Sequence, residues 1–416
     1  MALIVQKFGG TSVGDPDRMK AVAEHIAFTR SHGHDLVVAV SAMGKATDNL
    51  IALANSVSRS QPGRELDMLL TTGERVSAAL LTMALADLGV DAVSFTGSQV
   101  GIITDTSHGK AKIVEVKGDR VREALAAGKV CVVAGFQGVS TEREITTLGR
   151  GGTDTTAVAL AATLGADSCE IYTDVTGVFS ADPRIVPLAR KLTRVHFDEM
   201  LEMAGAGSKV LALRSVEFAR NHNVPIHVRS SFTWEQGTWV NFEEPGMEDP
   251  IISGVVTDAN DAKVTVLGVP DQPGVSAALF EPLAARNVVV DMIVQNTSTE
   301  GHTDISFTVP KADMTVSEQI VGQVAIDIGA KGVTHDADIA KVSIVGAGMR
   351  TSPGVAAKMF RTLADENVNI EMISTSTIRI SVVVAMSDLE KAARSLHTAF
   401  GLDGNQGYSA PLPDRK

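Results

Sequence analysis

Cysteine is nearly missing: Cys131 and Cys169 are the only two in 416 residues, both sit in apolar stretches (GKVCVVAG and ADSCEIYT), and neither belongs to a CxxC pair. That excludes a disulfide-stapled scaffold, and buried free thiols fit both better than a metal or redox role. Aromatic residues make up only 4% of the chain against 44% hydrophobic residues in all, so the core is aliphatic and alanine-rich. Glycine and proline are too infrequent for a fibrous or disordered chain. No apolar run approaches the roughly 20 residues that a membrane helix needs. The opening MALIV is too short for a signal-peptide core and is soon interrupted by Lys7, Gly9 and Gly10, so the expected location is the cytoplasm. Basic residues are outnumbered, giving a formal charge of −12, which argues against general nucleic-acid binding while leaving room for a local anion pocket. Two phosphate-binding fingerprints, GxxxxGK[ST] and GxGxxG, are absent from the first glycine-rich turn.

What is present is an alternation. The length predicts two or three domains. From residue 3 to about 230, short β-rich runs (LIVQKF, DLVVAVS, DAVSFT, KVCVVAG, SCEIYTD, PIHVRSS) alternate with helical stretches (PDRMKAVAEHIAFTRSH, RVSAALLTMALADLG, RVREALAAG, TDTTAVALAATLG). This is the pattern of a mostly parallel sheet covered by helices. Proline, glycine and acidic residues then collect into a linker near 243–250. Beyond it the chain repeats itself: residues 271–293 and 351–373 match at about half their positions, each copy preceded and followed by a strand. Two copies mean a duplicated domain, too few for a solenoid.

Charged and hydroxyl residues gather where predicted strands end, the edge at which open α/β sheets bind ligands. In VQKFGGTSVG, Gly9 and Gly10 permit close backbone approach, Thr11 and Ser12 add hydroxyls, and Lys7 leans a positive charge over the turn. The same residues also suit a tight strand–helix corner with a solvated lysine. In TTLGRGGTDTTAVAL, Arg150 can fork onto a carboxylate at the mouth of a helix that begins around Thr153 and Asp154, either of which could serve only as its N-cap. Glu74 opens another apolar helix, Ser41 and Thr47 follow a strand, and Thr173, Asp174, Phe179, Asp182 and Arg184 occupy a turn-rich stretch. Lys209 is read as beginning a helix, where its charge opposes the dipole and hints at an anionic partner.

Taken together, KFGGTSVG, TTGERVS, TLGRGGTDTTA, YTDVTGVFSADPR and the paired PGV repeats closely resemble the monofunctional, feedback-regulated aspartate kinases over essentially the whole length. The resemblance implies an amino-acid-kinase fold (three-layer αβα, mostly parallel sheet) over 1–245. Two ferredoxin-like βαββαβ ACT repeats follow at 262–337 and 338–410, a pair often interleaved in sequence in this family. It implies ATP and Mg²⁺, with no metal ligand from protein side chains, and phosphorylation of the L-aspartate β-carboxylate. Lys7 with Gly9, Gly10, Thr11 and Ser12 would hold phosphate. Ser41, Thr47, Glu74, Arg150 and Asp154 would hold the amino acid, with Lys7, Arg150 and Asp154 catalytic. Thr173, Asp174, Phe179, Asp182, Arg184 and Lys209 would face the nucleotide. Lysine and threonine are the implied effectors, at Asp271, Gly274, Val275, Asp291, Gln295 and Asn296 in the first copy and Ser352, Asn369, Ile370 and Ser376 in the second. A homodimer or tetramer through ACT domains is implied, and some relatives start a separate regulatory subunit at an internal methionine, here Met247, giving α2β2. Other amino-acid kinases, acting on glutamate, N-acetylglutamate or a nucleotide, and an inactive regulatory amino-acid-binding protein are the competing readings.

Overall fold

The computed structural model describes residues 1–242, 251–296 and 301–404. The expected linker at 243–250, and Met247 with it, lies outside the described residues. The first half folds around an eight-stranded sheet. Its order is Arg194–His196, Thr238–Asn241, Ile226–Ser230, Ser168–Thr173, Leu3–Phe8, Asp35–Val40, Val130–Ala134, Ala92–Phe95. Only Ile226–Ser230 and Thr238–Asn241 pair antiparallel. All six strands expected from the apolar runs are present, and alternation along them separates two cores. Val37 and Ala39 pack with Ala157, Val158, Leu160 and Val216 on one side. Leu36, Val38 and Val40 pack with Met19, Val22, Ile26, Leu81 and Leu85 on the other. Side chains two apart share a face, so one strand feeds both helical layers. The helix Gly152–Leu164 ends at Gly165 with φ +65°, a left-handed C-cap that glycine adopts without penalty.

A smaller four-stranded sheet (Ile113–Val116, Ile102–Thr104, Gln137–Ser140, Ile145–Thr147) was not foreseen. Its strands are three or four residues long, too short to leave a period.

The duplicated region forms two four-stranded sheets with one order. In the first copy, Asp261–Pro270, Val275–Ala285, Ile293–Gln295, His302–Pro310, Met314–Asp327 and Gly332–Asp336 follow one another as βαββαβ. The second copy runs Ile339–Val345, Val355–Asp365, Met372–Thr375, Arg379–Ala385, Leu389–Ala399, and its sixth element, the fourth strand of its sheet, is Gly254–Asp258, which precedes the first copy. A cut at residue 338 would separate this strand from the sheet it completes. The chain after Ala399 instead reaches back to the first half, where Asp403 bridges to Ala189.

Candidate functional site

The strand Leu3–Phe8 has Asp35–Val40 on one side and Ser168–Thr173 on the other, all parallel. Chain connections diverge at this point, which opens a crevice at the carboxyl ends. Lys7, near the end of the strand, extends its Nζ to 2.6 Å from Asp154 Oδ1. A Cβ added at Gly9 would lie 3.3 Å from that Nζ, so the ammonium sits over the glycine turn. Gly10 is required for a separate reason: a Cβ there would meet the Ala42 carbonyl at 2.8 Å. Ser12 is buried and hydrogen-bonds Ser231 at 2.6 Å, while Thr11 is exposed.

Neither Thr153 nor Asp154 caps the helix Gly152–Leu164; its N-cap is Gly151, left-handed at φ +70°. Both side chains are thereby released. Thr153 Oγ1 accepts from the Ser41 hydroxyl at 2.9 Å, and Asp154 pairs with Lys7. Arg150 stands exposed between two left-handed glycines, Gly149 and Gly151. Thr47 lies in the first turn of the helix Ala46–Val57, on the far side of the loop that begins at Ser41.

Glu74, in the first turn of Thr72–Asp87, is 3% exposed. One carboxylate oxygen accepts the Ala42 N–H at 3.2 Å, and the other, Oε2, has no hydrogen-bond partner. Burial outweighs the backbone hydrogen bonds and pushes its pKa up to about 7. A half-satisfied buried carboxylate is costly unless a cation reaches it.

All six expected nucleotide-side residues line one cleft of about 370 Å³. Asp174 and Lys209 are exposed at its edge, and the Arg184 Nε donates to Asp182 Oδ1 at 2.8 Å, so these two charges already satisfy each other. Lys209 does not begin a helix. The preceding helix ends at Gly205, Gly207 has φ +119°, and the next helix starts only at Leu213, leaving Lys209 in the connecting loop. Across the cleft stand Val255, Val256, Thr257 and Asn260, which sequence reasoning missed because they belong to the strand that completes the second repeat and to the turn after it.

Asp67 is a second residue that was missed. Buried in the helix Gly63–Leu70, its carboxylate accepts from Thr147 Oγ1 at 2.6 Å, from His108 Nδ1 at 2.8 Å and from the Gly109 N–H. It ties down the hairpin that leads into the Arg150 turn, which Arg214 holds from the other side through the Leu148 carbonyl at 3.0 Å. An acid among the apolar positions of the amphipathic RELDMLL was the only available signal.

In the repeats, Gly274 and Gly354 are matching left-handed N-caps with φ of +96° and +94°. Asp271 is exposed, Val275 buried, and Gln295 accepts from Ser276 at 3.4 Å. The Asn296 carbonyl is taken by Thr303. Asp291 is engaged by Lys341 at 2.6 Å, and the Ser376 hydroxyl donates to Glu202 of the catalytic half at 2.8 Å. Ser352 and Ile370 are half-buried and Asn369 exposed.

A model of the amino acid kinase family matches residues 2–230, and an ACT domain model matches residues 264–322 and 342–400. The chain is 53% identical over 411 residues to an aspartokinase of Corynebacterium efficiens, covering 98% of each. It is 54% identical over 405 residues to one of Pseudomonas aeruginosa, covering 97% of this chain and 98% of the relative. Among solved structures, Escherichia coli aspartokinase III in complex with aspartate and ADP (R-state) aligns with a TM-score of 0.80 at 25% identity, over 95% of this chain and 99% of that one. The same enzyme in complex with lysine and aspartate (T-state) aligns with a TM-score of 0.73 at 26% identity, over 96% and 99%. With a mostly parallel sheet, charged turns at its carboxyl edge and a duplicated regulatory module, the chain belongs to the aspartokinase family, as a kinase that carries ACT domains.

Proposed function

We propose that the chain transfers the γ-phosphoryl group of ATP to the β-carboxylate of L-aspartate, giving 4-phospho-L-aspartate, the first step toward lysine, threonine, methionine and diaminopimelate. The observation that carries this reading is Glu74: a buried carboxylate with one unpartnered oxygen, joined through Ala42, Ser41 and Thr153 to the Lys7–Asp154 pair. An amino-acid ammonium is the cation that completes it, and Arg150 supplies the complementary clamp for the α-carboxylate. The attacking β-carboxylate is already ionised near neutral pH, so no strong base is needed. What the reaction needs is relief of repulsion between anions. Lys7, oriented by Asp154, gives a positive charge at the turn, and backbone N–H groups around Gly9 and Gly10 receive phosphoryl oxygens. Ser41 and Thr47 line the amino-acid side. Thr173, Asp174, Phe179, Asp182, Arg184 and Lys209 hold the nucleotide.

Mg²⁺ fits as a partner of the nucleotide. It would be carried mainly by the phosphate oxygens of the nucleotide, the usual arrangement for this cation at kinase sites. Bound there, it neutralises phosphate charge.

Lysine and threonine act together as feedback inhibitors at the two matching turns. Asp271, Gly274, Val275, Gln295 and Asn296 serve one site, and Ser352, Asn369, Ile370 and Ser376 the other. Exposed Val289 and Ile326 in the first copy, 67% and 74% accessible, support a homo-oligomer built through the ACT units. The better match to the complex with aspartate and ADP supports reading the present arrangement as the nucleotide-accepting one. Two buried free cysteines fit a reducing cytoplasm.

The test is trapping the acyl phosphate as its hydroxamate. Wild-type protein is expected to form it from aspartate with ATP and Mg²⁺, and Glu74→Gln to lose on the order of a hundredfold in kcat/KM for aspartate. Unchanged aspartate kinetics in this variant would refute the ammonium assignment. Stability supplies a second readout. Because the Glu74 carboxyl is raised from 4.5 to about 7 in the folded protein, the native state binds the extra proton in that window and stability falls as pH rises through it, by ~3 kcal/mol in all. Denaturation of Glu74→Gln across the same window should show this loss flattened.

A further inference from the structure

The loop after the strand Ser168–Thr173 has two faces. On one, Phe179, Asp182 and Arg184 line the nucleotide cleft. On the other, Val186 and Ala189 are buried in a single apolar cluster with Ile252, Leu396 and Leu402, which Ala181 and Val255 join from the cleft wall itself. That cluster is the core of the second ACT unit, distinct from either core of the main sheet. Part of the cleft wall is therefore packed as part of the second ACT unit.

Ser180 is the polar joint between the two faces and is fully buried. Its carbonyl accepts the Val255 N–H at 2.7 Å, its N–H donates to the Arg190 carbonyl at 2.9 Å, and its hydroxyl oxygen accepts the Arg190 N–H at 3.0 Å. The same hydroxyl lies 2.8 Å from Nε2 of His397, a 0% exposed residue on the helix Leu389–Ala399. The Nδ1 of His397 is 2.7 Å from Asp403 Oδ1. A carboxylate only accepts, so Nδ1 carries the proton, Nε2 accepts, and the Ser180 hydroxyl donates. Burial, with Arg190 adding to it and Asp403 opposing, lowers the His397 pKa and favours this neutral ring. Arg394 on the same helix also donates to the Ile185 carbonyl at 2.7 Å. Packing alone would be served by an apolar side chain in this core; a fully buried imidazole is retained at the cost of satisfying both nitrogens.

We propose that His397 is a positioning residue for the nucleotide: through Ser180 it fixes the loop that walls the cleft, so the second ACT unit sets the affinity for ATP from a residue outside the cleft as well as through those of its own that line it. The inference rests on the nucleotide reading given above. It locates one point at which a movement of the ACT unit changes the cleft, since loop and helix share both a core and this hydrogen bond.

The experiment is steady-state kinetics of the full chain, with ATP and aspartate varied separately, in the wild type, Ser180→Ala, His397→Leu, the double variant and His397→Gln. Each single substitution is expected to raise KM for ATP about tenfold, the value of one buried hydrogen bond. The double variant should be no worse than about the same, because either change removes the same bond. Expected kcat and KM for aspartate stay within about twofold, and glutamine, which can still accept from Ser180, recovers part of the loss. Should His397→Leu fail to fold, ADP affinity of Ser180→Ala by calorimetry carries the test. An active Ser180→Ala enzyme with unchanged KM for ATP and unchanged ADP affinity overturns this inference alone. A wild-type protein that binds neither ATP nor ADP overturns the nucleotide reading and this inference with it.

Discussion

The two ACT copies share a sequence pattern, a sheet order and matching left-handed glycines, yet they are held in the molecule in different ways. The second is welded to the catalytic half: Glu199 accepts from Ser253 Oγ at 2.6 Å and from the Ala347 N–H at 2.7 Å, Glu202 pairs with Arg379 at 3.1 Å, and Ala181, Val186 and Ala189 of the cleft loop lie in its core. The first is held by its twin. Met292 and Met372, equivalent positions of the repeat, share one small cluster with Ile339 and Val383. Around it each copy gives the other a lysine, Lys263 to Glu371 and Lys341 to Asp291. This exchange is what a duplicated unit packed on itself should produce, because symmetry makes every contact occur twice. The copies differ in depth. Lys341 is 4% exposed and also reaches Asp261 at 3.0 Å, whereas the side chains of Lys263 and Glu371 are each 22% exposed. Duplication placed the pairs, and the later history of each copy decided what they are worth.

The deepest cut into this comparison is Lys341→Met. It leaves Asp261 and Asp291 close together with no cation, and removing one side of a buried ionic group costs about 3–5 kcal/mol. Urea denaturation should show it as an early transition of the ACT region, with the catalytic sheet holding on. Acid should narrow the difference. Burial already raises the Asp261 carboxyl above its ordinary value despite Lys341, so in the variant it takes a proton as pH falls, and stability is lost again as pH rises through that raised pKa. A variant as stable as wild type at pH 8 would mean that the lysine is not the tie between the copies.

Glu199→Ala tests the other attachment. Two donors, the Ser253 hydroxyl and the Ala347 N–H, lose their acceptor together, for about 2 kcal/mol. The expected signature is functional as well as thermal: weaker inhibition by the proposed effectors, lysine plus threonine, with activity in their absence retained, because the second unit no longer moves as one body with the helix Phe197–Gly205. Inhibition curves identical to wild type would show that coupling runs elsewhere.

Much of this was legible before the structure. Period and turn chemistry marked six of the eight main-sheet strands and the helix ending at Gly165, and the repeat itself was plain in residues 271–293 and 351–373. Local sequence failed where the partner lies far along the chain. Gly254–Asp258 reads as one more strand after a linker, and nothing in it names the second repeat as its sheet. Lys209 was misassigned because AGAGSKVLALRSVEFA looks helical throughout, while the left-handed Gly207 breaks it. Asp67 and His397 are buried polar residues on amphipathic helices, and their roles depend on hairpins and loops more than forty and two hundred positions away. Glu74 was visible as a helix-start acid, but its unpartnered oxygen is a property of packing alone.

The smallest effect is expected from Lys263→Ala, and it sharpens the comparison because the chemistry matches the Lys341 change while the surroundings do not. A partly exposed pair gains little over its hydrated ions, so the loss should be about 0–1 kcal/mol. It should also fade as salt is raised, since charges near solvent are screened over a Debye length of about 10 Å at 0.1 M. The Lys341 effect, set by desolvation, should persist under the same salt. Parallel urea titrations at low and high ionic strength separate the two. If both substitutions cost the same and respond to salt alike, depth does not distinguish the copies, and the asymmetry between them must rest on the attachments of the second unit alone.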